Sequence, residues 1–333
     1  MKIAIVGAGR WGVHLIRNFL RHPDTEIVAI VDGNPQQLAA LSHKFELDPR
    51  TVLAPEWSIV RELSQIEAVV VATPASTHYA IVRDALERRF HVLAEKPLTL
   101  KPEESLALCR LAEKQQRQLV IDHTYLFHPA VQRGRTLVQN NTLGTLRYGY
   151  ASRTNLGPVR QDVDALWDLA IHDIAIFNNW LGETPHRVQA RGTVWLQPEL
   201  SDVVWVTLIY PSGFHATIHL CWCNPDKQRR LAVVGDRGTL IFDELAQFPL
   251  ILQSGQVEPQ NGGWNPAEMS QKAIAVESAE PLQQVCQHFL DCVQQQQSSS
   301  ISSGWTGAQL VQILAALTES MQRGGETIGI SNK

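Results

Sequence analysis

The chain opens with a short apolar run, KIAIV, that runs straight into Gly7-Ala8-Gly9-Arg10-Trp11-Gly12. A stretch follows in which Val13, Ile16 and Leu20 recur at helical spacing. A strand, a glycine turn and a helix in this order leave few folds open. The pattern then repeats. EIVAIVD is followed by a helix predicted from Pro35 to Phe45, and EAVVVATP by a helix over 77–89. HVLAEKP is followed by a helix over 102–117, and QLVIDH closes the series. Apolar runs without alternation are those of strands buried on both faces, and strand–helix repeats connect them as right-handed crossovers. The prediction is an α/β protein with a doubly wound parallel sheet at the N-terminal end.

The pattern changes near His123. A helix is predicted over 129–140 and a strand over 144–154, with 155–163 as a loop. An apolar helix, DALWDLAIHDIAIF, starts at Asp164. HRVQARGTVWL, SDVVWVTLIY, GFHATIHLCW, RRLAVVG and GTLIFDE then read as strands with period-2 alternation, as in a mainly antiparallel sheet. Polar residues 253–276 read as a long surface loop. PLQQVCQHFLDCV reads as a helix and QQQQSSSISSG (294–304) as a mobile linker, before a last helix over 305–322. With 333 residues, the chain is long enough for two domains of about 150 residues each. We therefore divide it into a dinucleotide-binding domain, 1–122, and a second domain, 123–333.

Several function classes are disfavoured. A net charge of −4 without a basic run argues against nucleic-acid binding. No run approaches the ~18 apolar residues of a membrane span, and the apolar start is too short for a secretory leader. Five scattered cysteines do not make a disulfide framework, so a reducing, cytoplasmic setting is expected.

In its strand-to-helix context the glycine motif reads as a dinucleotide site. Gly7 permits the tight turn, Gly9 the approach of a pyrophosphate, and Gly12 the packing of helix on strand, while Ala8, Arg10 and Trp11 fill the turn between them. Asp32 ends the second strand, about twenty residues on, where a carboxylate takes the ribose hydroxyls and repels a 2′-phosphate. NAD is expected, with NADP as the alternative. Thr73, Pro74 and His78 follow one strand, and Glu95 and Lys96 precede Pro97 at the end of the next. All lie at the carboxyl edge of the sheet, where ligands of such sheets bind.

The apolar helix poses a question of its own. It is apolar nearly all round, yet Asp168 and His172 lie four apart on one face. A carboxylate beside an imidazole orients it and favours its charged form, which suits acid–base work. The same spacing also fits a structural histidine satisfied by its neighbour, or a metal pair, although no third ligand is evident and no metal is expected. Asp173 falls inside the apolar stripe and needs a hydrogen-bonded partner.

These residues carry a resemblance. The ordered set Gly7–Gly12, Asp32, VVVATPASTH and AEKPL, continued by DHTYLFHPAV, RTNLGPVRQDVDALWDLAIHD and CWCNPDKQRRLAVVGDRGTL, is similar to the Gfo/Idh/MocA family. The resemblance implies an N-terminal Rossmann domain and a C-terminal α/β domain with a large open sheet that serves substrate binding and homo-dimer or homo-tetramer contacts. It implies hydride transfer between NAD(P) and a CH–OH group of a sugar, nucleotide sugar or related polyol. His172 would be the base, with Asp168 orienting it and Lys96 hydrogen-bonded to the reacting oxygen. Many members carry a second Asp where this chain has Ala175. Tyr125, Arg153, Arg160 and Trp222 are candidate substrate contacts. Two other functions fit the same scaffold, a non-catalytic NAD-binding sugar sensor and an NAD-dependent glycoside hydrolase.

Overall fold

The computed structural model describes residues 1–63 and 65–330. The chain forms two compact units, one of residues 1–127 with 280–311 and the other of 128–279 with 312–333. The single cut expected after residue 122 therefore differs from the folded division, because a C-terminal segment returns to the first unit.

In the first unit, strands β1 (Lys2–Val6), β2 (Glu26–Val31), β3 (Val52–Ala54), β4 (Ala68–Val71), β5 (His91–Glu95) and β6 (Leu119–Asp122) form one sheet in the order β3-β2-β1-β4-β5-β6. Every pairing is parallel. Helices α1 (Gly12–Arg21), α2 (Pro35–Phe45), α3 (Trp57–Val60), α4 (Ala75–Glu87) and α5 (Pro102–Gln115) alternate with the strands. All four residues of β4 are fully buried, as a central parallel strand demands. The strand order reverses between β1 and β4, and ligands of such sheets bind outside the strand ends at that point.

The second unit begins with α6 (Pro129–Gln139) and β7 (Leu146–Leu156). A π-helical turn (Leu166–Ala170) leads into α7 (Ile171–Leu181). Then come β8 (Arg187–Thr193), β9 (Val203–Ile209), β10 (His215–Cys221), β11 (Cys223–Gly235), β12 (Gly238–Asp243), β13 (Leu250–Gln260) and β14 (Gly263–Ala273). The nine-stranded sheet, closed at its edge by β15 (Ile328–Gly329), has the order β14-β13-β12-β11-β7-β10-β9-β8-β15. Among the described residues only β7 and β10 pair in parallel, and every other pairing in this sheet is antiparallel. Side chains of α7 sit against β7: a Cβ added at Gly149 would meet Phe177 at 2.6 Å, so glycine is what admits the aromatic ring.

Two expectations are corrected. Residues 253–276 are mostly the β13–β14 hairpin rather than a loop. Its residues are polar because both faces are largely exposed, which erases the alternation that marks a half-buried strand. The stretch 294–304, expected to be a mobile linker, joins α8 (Pro281–Gln295) to α9 (Gly304–Gln322) along defined hydrogen bonds. Ile121 N–H donates to the Ser302 carbonyl (3.0 Å), and Val120 bridges Ser303, so the segment covers the outer edge of β6. Ser299 Oγ accepts the N–H groups of Ile301 (3.2 Å) and Ser302 (2.8 Å).

Candidate active site

The carboxyl ends of β1, β2 and β4 enclose a groove of about 320 Å³ lined by Gly7, Gly9, Asp32, Thr73 and Pro74, among others. Gly7 has φ +99°, and a Cβ there would lie 2.5 Å from the Ala72 backbone. At Gly12 a Cβ would lie 2.0 Å from the Gly7 carbonyl oxygen. These two glycines are required by the protein itself. A Cβ at Gly9, by contrast, would meet nothing within 4 Å. Glycine at that position leaves space for something outside the chain.

Asp32 Oδ2 accepts the Ala8 N–H (2.7 Å) and Oδ1 the Asn34 N–H (2.9 Å). The carboxylate is thereby fixed on the rim of the groove, with lone pairs left for vicinal hydroxyls. α1 starts there with no side-chain cap, and the backbone closes its first turn, Val13 N–H donating to the Gly9 carbonyl (3.0 Å) and His14 N–H to that of Trp11 (2.9 Å). Groove, open glycine and fixed carboxylate together fit NAD. Arg10 and Trp11 are exposed at the turn.

His78 departs from its expected place. It is 1% exposed, and its Nδ1 and Nε2 lie 2.9 Å and 2.8 Å from the carbonyl oxygens of Pro97 and Thr73. The ring ties two strand-end loops together. Glu95 is likewise buried, whereas Lys96 beside it is half-exposed. Tyr125 lies half-buried on a 3-10 turn (Thr124–Phe127).

In the second unit, Asp168 and His172 are half-exposed while Leu169, Ala170, Ile171, Asp173 and Ile174 around them are buried. The greasy helix therefore does present one polar strip. Its start is not the regular α-helix expected: Asp168 lies on the π-helical turn and His172 on the first turn of α7. Turns of this kind occur frequently at functional sites. Asp164 caps the start, its Oδ1 accepting the Trp167 N–H (3.0 Å). Asp168 Oδ2 accepts the indole N–H of Trp222 (3.1 Å), and its Oδ1 faces Arg160 Nη1 at 3.4 Å. Arg160 also pairs with Asp162 (2.6 Å), and this hydrogen bond first, then burial and Asp168, shifts the guanidinium, with a net rise above its ordinary value.

Two expected substrate contacts are corrected by burial. Arg153 is 1% exposed, and its Nε and Nη2 donate to Asp173 Oδ2 (2.8 Å) and Oδ1 (2.9 Å). It is the partner that Asp173 needs. Trp222 is also 1% exposed, so it addresses Asp168 and not a ligand. Sequence reasoning missed Asp122, which ends β6 beside Glu95 at the end of β5. The signal was there, since two successive strands of a parallel sheet each ended in a carboxylate. Among the described residues, no group of three or more His, Cys, Asp or Glu is arranged to hold a metal ion.

The comparisons agree with this geometry. A UDP-N-acetylglucosamine 3-dehydrogenase from Acidithiobacillus ferrooxidans is 29% identical over 210 residues, which cover 62% of this chain. The matched part spans 63% of that relative's length, just under two thirds. An inositol 2-dehydrogenase from Rhizobium meliloti is 23% identical over 268 residues, covering 77% of this chain and 79% of the relative. A crystal structure of a Magnetospirillum magnetotacticum MS-1 protein, provisionally assigned as an oxidoreductase, superposes with a TM-score of 0.81 at 30% identity. It covers 95% of this chain and 99% of that one. Residues 1–123 match the family model described as an oxidoreductase family with an NAD-binding Rossmann fold, and residues 131–241 match its GFO/IDH/MocA C-terminal domain. The chain belongs to the Gfo/Idh/MocA family of oxidoreductases, and its first unit carries that family's NAD-binding Rossmann domain.

Proposed function

We propose that this protein is an NAD-dependent dehydrogenase acting reversibly on a CH–OH group of a sugar, nucleotide sugar or related polyol. The observation that carries the reading is the polar strip on the otherwise buried helix, with Asp168 held from two sides by Trp222 and Arg160. The two dehydrogenase relatives, one acting on a nucleotide sugar and one on an inositol, support the substrate class.

Bound NAD supplies the hydride acceptor. The chain supplies the rest. His172 takes the hydroxyl proton, and Asp168 orients the imidazole and stabilises it once charged. Lys96 hydrogen-bonds the reacting oxygen and stabilises the charge that grows on it. Gly7 to Gly12, Asp32, Thr73 and Pro74 hold the dinucleotide, and Asp32 favours NAD over NADP by repelling a 2′-phosphate. Tyr125 and Arg160 are the remaining candidate substrate contacts.

The proposal extends to assembly and location. The sheet face bearing Tyr148, Tyr150 and Trp205 exposes three large aromatics, with Trp205 stacked on His219 at 4.1 Å. This face supports a homo-dimer or homo-tetramer, to be checked by light scattering on the protein and on Trp205→Lys. The five free thiols and the lack, among the described residues, of a helix able to cross a membrane accord with a cytoplasmic setting.

The test is a fluorescence titration with NADH and NADPH, then a screen of sugars and polyols for NADH formation. Tight NADH binding with turnover on one of them is expected. His172→Ala should lower kcat by about 10²- to 10⁴-fold while leaving NADH affinity intact. Binding without turnover would favour a sensor, and glycoside cleavage without net NADH would favour a hydrolase. Unchanged turnover in His172→Ala would remove that residue from the mechanism.

A further inference from the structure

Glu95 and Asp122 are register partners at the carboxyl ends of β5 and β6, and they are 8% and 1% exposed. Glu95 Oε2 accepts the Lys96 N–H (3.2 Å), and Asp122 Oδ1 accepts the Thr124 hydroxyl (2.6 Å). The other oxygen of each, Glu95 Oε1 and Asp122 Oδ2, is buried with no donor among the described residues. Two ionised carboxylates would leave two anionic oxygens buried side by side, at high cost. One proton between them lets each carboxyl satisfy the other. Burial, then the Asp122 charge, pushes Glu95 well above the usual carboxylate range. Burial raises Asp122 as well, but the Thr124 hydroxyl and the bond from Glu95 draw it back. The proton therefore belongs on Glu95 and the charge on Asp122.

Lys96 directly follows Glu95, and its backbone N–H bonds the Glu95 carboxyl. Its ammonium acts on both carboxyls. His123, next to Asp122, is lowered to about 3 by burial and then by Lys96, so it is neutral. Its Nδ1 lies 2.7 Å from Ser302 Oγ, which itself donates to the Ile121 carbonyl (2.7 Å), so Nδ1 carries the hydrogen. The Cys286 thiol on α8 is pushed up by burial and by Asp122, and is also neutral. We propose that Glu95 and Asp122 share a single proton and act as a positioning pair. Together they hold one negative charge behind Lys96 and keep its amine in the ammonium form that donation to a reacting oxygen requires. The role assigned to Lys96 rests on the dehydrogenase reading; the shared proton does not.

The pair makes a prediction for its variants. Glu95→Gln leaves Asp122 charged, so that single variant keeps the negative charge. Asp122→Asn leaves Glu95 with its burial unrelieved, and Glu95→Gln/Asp122→Asn removes the charge outright. The rate at which acetic anhydride modifies Lys96 in the intact protein, followed against pH by peptide mass spectrometry, reports the Lys96 midpoint. The midpoint should move little in Glu95→Gln and fall by about one unit or more in the double. A clear fall in Glu95→Gln would mean two ionised carboxylates, and no fall in the double would mean no coupling to Lys96. Either result overturns the proposal. Should the double variant not fold, infrared spectroscopy decides on Glu95→Gln. A protonated-carboxyl C=O stretch, shifted in D2O, should be present in the wild type at neutral pH and missing from Glu95→Gln; its absence from the wild type refutes the shared proton. Neither readout uses substrate or NAD, so failure of the dehydrogenase reading would leave both intact. If that reading holds, the alkaline limb of kcat moves with the Lys96 midpoint in the double variant.

Discussion

Asp173→Ala is the substitution whose cost the structure fixes most tightly. Both carboxylate oxygens of Asp173 bond the Arg153 guanidinium, at 2.8 and 2.9 Å, and the two side chains are 1% and 2% exposed. Both side chains are sealed from water, so truncating the carboxylate takes these two bonds from a guanidinium that stays buried. Breaking a buried pair in this way costs about 3–5 kcal/mol. Against a typical total of about 5–15 kcal/mol, that is a large share of a domain's stability. Since each ~1.4 kcal/mol is tenfold, the unfolded population should rise by roughly two to three and a half orders of magnitude. Replacing both partners, as in Arg153→Met/Asp173→Leu, removes the charge along with its partner and should recover most of the loss. Urea unfolding followed by tryptophan fluorescence measures both variants, as a change of midpoint at constant slope. A cost below about 1 kcal/mol in Asp173→Ala, the range of an exposed pair, would refute the burial argument. A double variant as unstable as the single would refute it too, and would return Arg153 to the candidate substrate contacts.

The glycines separate folding from binding. Gly9→Ala should leave the melting temperature unchanged, because its Cβ meets no protein atom within 4 Å, yet weaken NADH by at least about tenfold through loss of pyrophosphate contact. Gly7→Ala, at φ +99° and 2.5 Å from the Ala72 backbone, should lower stability by about 1–3 kcal/mol as well as abolish binding, as calorimetry and titration would show. Trp222→Phe replaces the indole by a smaller aromatic ring and removes the N–H given to Asp168, a charge-assisted bond worth about 1.5–3 kcal/mol. Under the proposed mechanism kcat should fall by about tenfold or more while NADH affinity holds. His123 titrates at about 3 when folded and near 6.5 when unfolded, so between those values the unfolded chain binds the extra proton. Its contribution is complete above about pH 6.5 and is lost as pH falls towards 3. His123→Asn should flatten that part of the stability profile, as denaturant midpoints across pH would report.

Much of the first unit was legible because each of its features is local. A buried parallel strand shows as an uninterrupted apolar run, and the glycine motif shows both its own spacing and the strand and helix around it. Asp32 could be placed because strand length fixes where a strand ends. What escaped were facts about pairing between distant segments. Arg153 looked like a substrate contact because it precedes a loop near the candidate helix. Its true partner lies twenty residues on, across the packing of β7 against α7. The serines of 294–304 read as a linker by composition, although Ser302 bonds His123, 179 residues away. The β13–β14 hairpin escaped because a strand exposed on both faces has no alternation to read.

The apolar helix itself combines both kinds of information. Its periodicity predicted burial, and Ile171, Ile174, Ala175, Ile176 and Phe177 are all buried. Periodicity separated the polar residues on it, with Asp168 and His172 on one face and Asp173 inside the apolar stripe, but it could not name their partners. The structure ranks them by surroundings. Asp173 is sealed against Arg153, which makes it part of the core. Asp168 keeps a 19% exposed side chain while Trp222 and Arg160 fix its carboxylate. A group that is both restrained and reachable by solvent is the kind that chemistry can use, because it pays its ordering entropy on folding, before any ligand arrives. A residue on the same helix that is restrained but sealed stabilises the fold alone. Under the proposed mechanism the two acidic residues of the LWDLAIHD stretch divide between function and stability according to what each one faces.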